Sequence, residues 1–196
     1  MIGSKNLNEI FSALDRQIGA QKGVSIGLVV CGGTALAALG LVNRTTKDVD
    51  VLAEAKETEQ GLTMHRVEQF PPWLNAAAKT VARDFGLPEH WLNLGPASQV
   101  ESGLPDGFER RLVKRSYGRH LTVYFTGRTD QIYFKLYAAI DRGDYHVQDL
   151  FALKPTNEEI EKAAQWVLTQ DVSEAFRLIL EDFLERQGYG VIAERI

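Results

Sequence analysis

The sequence predicts an α/β fold, a small mixed β-sheet of three to five strands with flanking helices, followed by a C-terminal helical part. Two observations carry this. Short β-branched apolar runs stand at 25–30, 48–52 and 120–125, each set off by Gly or polar residues, and all lie before residue 127. Beyond that point apolar residues recur at helical spacing over 130–142, 144–152, 156–169 and 172–187. Residues 1–127 are therefore read as an α/β core and 128–196 as a helical part packed on it in one compact unit.

Taken in order, residues 6–19 place Leu7, Ile10, Phe11, Leu14 and Ile18 on one face of a first helix. The run Ser25 to Val30 reads as a buried strand, after which Gly32-Gly33 turns the chain. Thr34 then caps a helix over 34–39 that Gly40 stops. Asp48 to Leu52 alternates acid and apolar residues as a half-buried strand does. Residues 54–62 read as a charged, solvated connection, and 72–86 as a helix that Pro71-Pro72 opens and Gly86 closes. The Gly, Pro and Ser-enriched stretch 95–107 is a loop, and Pro155-Thr156-Asn157-Glu158-Glu159 is a helix start with acid in its first turn.

Composition excludes several classes. The chain has 196 residues, a formal net charge of −4 and one cysteine, Cys31. A lone cysteine cannot form an internal bridge and points to a reducing compartment. No basic-plus-apolar leader opens the sequence, and no apolar run reaches the ~20 residues a membrane span needs. The expectation is a cytoplasmic protein with no membrane partner. Mild acidity argues against nonspecific coating of nucleic acid. The four histidines are scattered without zinc-ligand spacing, and no GxSxG or Cys–His constellation suggests acyl transfer.

The chemistry concentrates between Val29 and Leu52. Strand, Gly32-Gly33, Thr34 and helix, in that order, make a turn that a phosphate can approach closely. One helix later, Asp48 and Asp50 stand at i and i+2, so both carboxylates leave the strand on one face while Val49 and Val51 face the core. Two carboxylates held together are costly unless a cation joins them, and Mg²⁺ suits oxygen ligands shared with substrate phosphates.

Gly32-Gly33-Thr34, an Ala/Leu helix ending at Gly40, Arg44, Thr46 and Asp48-x-Asp50 together resemble the signature of the polymerase-β-like nucleotidyltransferases, in particular the minimal nucleotidyltransferases of the AbiEii toxin type found in toxin–antitoxin systems. Lys135-Leu136-Tyr137-Ala138-Ala139 through Arg142 resembles a downstream helix of that group, and Asp149-Leu150, Leu153 and Pro155-Thr156 resemble the element after it. Trp91-Leu92-Asn93 and Phe108-x-Arg110 are weaker echoes. The resemblance spans about residues 25–157.

It implies Mg²⁺-dependent transfer of a nucleotide from a nucleoside triphosphate to an RNA, such as tRNA, or to a protein, with an antitoxin protein as a further partner. Asp48 and Asp50 would hold one or two Mg²⁺. Gly32, Gly33, Thr34, Arg44 and Thr46 would bind the nucleotide, and Lys135 would be a second phosphate ligand. Asp149 would complete the metal site, activate the acceptor or orient Lys135. Two departures define the alternative, a degenerate member that binds nucleotide or a partner without turnover. His146 stands where the group often has an Asp, and 120–125 contains no acid. Arg110, Arg111, Lys114, Arg115 and Arg119 read either as a groove for a polyanion, with Tyr117 for stacking, or as a solvated helix face.

Overall fold

The computed structural model describes residues 1–196, which divide into two compact units, Met1–Gly127 and Arg128–Ile196. The first contains helices α1 (Leu7–Ala20), α2 (Gly32–Ala38), α3 (Pro72–Phe85) and α4 (Gln99–Ser102). Its strands are β1 (Ile26–Cys31), β2 (Val49–Thr58), β3 (Gly61–His65), β4 (Leu92–Asn93), β5 (Val113–Ser116) and β6 (Leu121–Phe125). The sheet runs β3-β2-β1-β6-β5, with β4 paired to β2 beside β3. Pairing is parallel for β1–β6 and β2–β4 and antiparallel elsewhere, so the sheet is mixed.

The faces of α1 and α3 that helical spacing turns inward meet the sheet. Leu7, Ile10, Phe11, Leu14 and Ile18 on α1 and Leu74, Ala77 and Val81 on α3 pack with Leu28, Val30, Val49, Val51, Val123 and Phe125. Each such large side chain taken out of water contributes roughly 1.5–3 kcal/mol. Asp15 joins this layer to the sheet. It is buried on α1, and its Oδ1 accepts from the backbone N–H of His120 at 2.7 Å and of Leu121 at 2.8 Å.

Three expectations change. Residues 54–58 continue β2 and, through Gly61 at φ +121°, turn into β3, so 54–62 is a hairpin and the sheet has six strands. The basic stretch is a 3₁₀ turn at Phe108–Arg111 followed by β5, an edge strand and not a helix face. The loop over 95–107 holds the single turn α4.

The second unit consists of α5 (Arg128–Arg142), α6 (Tyr145–Ala152), α7 (Asn157–Gln170), α8 (Glu174–Arg186) and α9 (Gly190–Ala193), the last not foreseen in the sequence. The start read at Pro155–Glu159 is a full capping box on α7: the Thr156 hydroxyl accepts from Glu159 N–H at 3.2 Å and the Glu159 carboxylate accepts from Thr156 N–H at 2.8 Å. Tyr133, Phe134 and Tyr137 of α5 ring Trp166 of α7 at centroid distances of 5.6–6.5 Å. No helix is long and apolar enough to cross a membrane.

Candidate functional site

At the end of β1 the chain enters α2 directly, with Cys31 and not Thr34 at the N-cap position. The cost falls on Gly32, whose φ of +67° disfavours any L side chain. A Cβ there would stand 2.5 Å from Asp50 Oδ2, and one on Gly33 would stand 3.3 Å from Arg44 Nη2 and 3.2 Å from Thr46 Cβ. The two glycines thus bring the α2 backbone against Asp50 on one side and the 44–46 segment on the other. That segment is itself tied down, since Ile2 and Thr46 exchange backbone hydrogen bonds of 2.7 and 2.8 Å.

Asp48 is held twice. The Thr46 hydroxyl donates to its Oδ1 at 2.7 Å, and the Thr34 hydroxyl donates to its carbonyl at 2.6 Å. Thr34 is buried, and its hydroxyl serves to position the backbone of Asp48. Val49 and Val51 of β2 are fully buried while Asp50 between them, and Asp48 just before the strand, are both half-buried. Asp50 lies between Cys31 on β1 and Asn93 on β4, and the Asn93 amide donates to Asp50 Oδ1 at 3.2 Å. The structure therefore gathers Gly32, Gly33, Thr34, Arg44, Thr46, Asp48 and Asp50 in one place.

The donor set suits a divalent cation that prefers oxygen. Each carboxylate has one oxygen held by a neutral donor, and the glycine at 32 lets the α2 backbone pack directly against Asp50 Oδ2. No group of three or more His, Cys, Asp or Glu side chains forms a larger metal cluster. Asn93 is the residue that local pattern undervalues. Its signal was the Trp91-Leu92-Asn93 echo, and its placement comes from Trp91, whose fully buried indole donates to Ala78 O at 3.0 Å and whose carbonyl accepts from Val49 N–H at 2.5 Å.

Lys135 and Asp149 belong to the second unit. Lys135 Nζ lies 2.8 Å from Asp149 Oδ2 with side chains only 5% and 4% exposed, so this is a buried ion pair between α5 and α6. His146, one turn before Asp149 on α6, is also buried and sets Nδ1 3.4 Å from Lys135 Nζ. The Tyr145 ring lies 5.7 Å from the same ammonium.

The basic stretch is largely engaged within its own unit. Lys114 reaches Glu57 of β2 at 2.6 Å, Arg115 donates to Ala38 O at 2.9 Å and covers the Phe125 ring, and Arg111 donates to Asp106 O at 2.7 Å. Lys114 holds the Glu57 carboxyl below its ordinary range. Burial, and then the Glu57 charge, push the Tyr124 phenol up to about 12. Tyr117 packs its ring 5.0 Å from that of Phe11 at a tilt of 40°, and Cys31 is a buried thiol.

Comparison with known families adds one finding. Residues 5–157 match the model of DUF6036, described as a nucleotidyltransferase of unknown function, a span that runs from α1 through α6. No curated protein and no solved structure matches the chain.

Proposed function

The chain belongs to the DUF6036 family of nucleotidyltransferases, and from that premise we propose that it transfers a nucleotide from a nucleoside triphosphate to an RNA or protein acceptor, with Asp48 and Asp50 as the cation-binding pair. One observation carries the reading: both aspartates are oriented by hydrogen bonds beside the Gly32–Gly33 backbone that Arg44 also approaches. Bound there, Mg²⁺ would neutralise the triphosphate and stabilise charge on the leaving pyrophosphate. Arg44 and the main chain at Gly32–Gly33 would take phosphate oxygens. Thr46 and Thr34 keep Asp48 in place. In the transfer, an acceptor oxygen bonds the α-phosphorus as the bond to the β-bridging oxygen breaks, pyrophosphate departs with the electron pair, and the acceptor proton passes to a base. For Asp149, the 2.8 Å ion pair supports the role of orienting Lys135 over that of activating the acceptor.

The toxin reading, with an antitoxin partner and AbiEii-type specificity, rests on the motif resemblance. The test incubates the protein with each labelled nucleoside triphosphate, Mg²⁺ and cell extract, beside folded Asp48→Ala and Asp50→Ala variants. Label should move to RNA or protein and fall by at least about 100-fold in either variant, the scale expected when charge stabilisation is lost. Calorimetric binding of nucleotide with Mg²⁺ and no aspartate-dependent transfer to any acceptor would overturn catalysis in favour of binding without turnover.

A further inference from the structure

Asn93 has a geometry that assigns its amide. The backbone N–H of Gly95 donates to its Oδ1 at 2.8 Å, so the oxygen is turned to Gly95. The NH₂ group must then be the one turned to β2, where acceptors await it: Asp50 Oδ1 at 3.2 Å and Val49 O at 3.4 Å. No flipped amide satisfies this arrangement, because it would set an oxygen against two acceptors and an NH₂ against a donor.

From this, and resting on the nucleotidyltransferase reading, we infer that Asn93 is a positioning residue: it pins Oδ1 of Asp50 and so fixes the orientation of that carboxylate within the cation-binding pair. β4 is two residues long and pairs with β2 at Val49 and Asp50 alone, so its contribution to the sheet is concentrated at the acidic end of that strand. The amide also brings no negative charge. Thr46 stands toward Asp48 as Asn93 stands toward Asp50, each a neutral donor to Oδ1.

Two variants separate positioning from mere support of the Gly95 turn. Asn93→Asp keeps an acceptor for Gly95 N–H but replaces the donor facing Asp50 by a carboxylate. Asn93→Ala removes both. The probe is Mn²⁺ alone, read by calorimetry on the full chain and by the shift in melting temperature it produces. Wild type should bind Mn²⁺, and Asn93→Ala should bind it roughly 10–100-fold more weakly, the usual effect of losing a group that orients a metal ligand. Asn93→Asp should melt lower than wild type without metal and gain more from Mn²⁺ than wild type does. A role confined to the turn lowers the melting temperature of Asn93→Ala but leaves its Mn²⁺ affinity like that of wild type. Wild type binding Mn²⁺ with both variants unchanged overturns the positioning role and leaves the cation pair standing. Wild type taking up no Mn²⁺ overturns both.

Discussion

The Lys135–Asp149 pair allows a sharp test of burial. At 2.8 Å, two unit charges in an effective dielectric of about 20 attract by roughly 6 kcal/mol, but with side chains 5% and 4% exposed most of that is offset by lost hydration. Lys135→Met keeps the aliphatic stem and removes the ammonium, leaving the Asp149 carboxylate buried without this counter-charge. The expected loss is about 3–5 kcal/mol, the cost of breaking a buried pair from one side. At a urea slope of about 1–3 kcal/mol/M, the unfolding midpoint followed by circular dichroism should drop by about 1 M or more. Adding Asp149→Leu should restore most of it, because removing both charges leaves neither stranded. The internal control is Lys162→Met. Lys162 pairs with Glu158 at 2.7 Å, nearly the same distance, yet both side chains are largely exposed, and its removal should leave the midpoint where it was. Equal midpoints for the two lysine variants, or a double variant weaker than Lys135→Met alone, would refute the reasoning.

Two further outcomes follow from particular contacts. Gly32→Ala asks an L residue to hold φ +67° with its Cβ 2.5 Å from Asp50 Oδ2, so the melting temperature should fall by a strain of roughly 1–2 kcal/mol and Mn²⁺ uptake should weaken; a variant that melts and binds like wild type contradicts the close approach. The Arg128 hydrogen bonds hold the Glu159 carboxyl below its ordinary 4.5, and a carboxylate depressed in the fold stabilises above its unfolded value and loses that contribution as pH falls through the folded one. Melting temperature should therefore decline below about pH 4.5 more steeply in wild type than in Glu159→Gln, and parallel curves would show that the ion pair carries no pH dependence.

What could be read locally and what could not divide along a physical line. The inward side chains of β2 at Val49 and Val51 were legible from their spacing at i and i+2, although the strand begins at Val49, one residue after Asp48. The inward stripes of α1 and α3 were legible for the same reason at period 3.6. By contrast, Glu54 to Thr58 carries too many charges to read as a strand; it becomes one because β3 supplies a partner from Glu54↔His65 to Thr58↔Gly61. Lys114 and Arg115 likewise sit in a strand by pairing with Tyr124 and Val123, and their charge fits an edge that must not recruit another chain. Thr34 reads as a cap by its chemistry alone, but the glycines before it let the helix begin at Gly32, which frees the hydroxyl for Asp48 fourteen residues away. Asn93 follows the same rule at greater separation, 43 residues from Asp50. The acids of the site thus come from the start of β2 and the residue before it, while two of the groups that orient them, Thr34 and Asn93, arrive from elsewhere in the chain. Orientation of a carboxylate sets how well it holds a cation, so the strength of the proposed cation site would depend on Asn93, outside the Gly32–Asp50 motif, as well as on Thr34 and Thr46 within it.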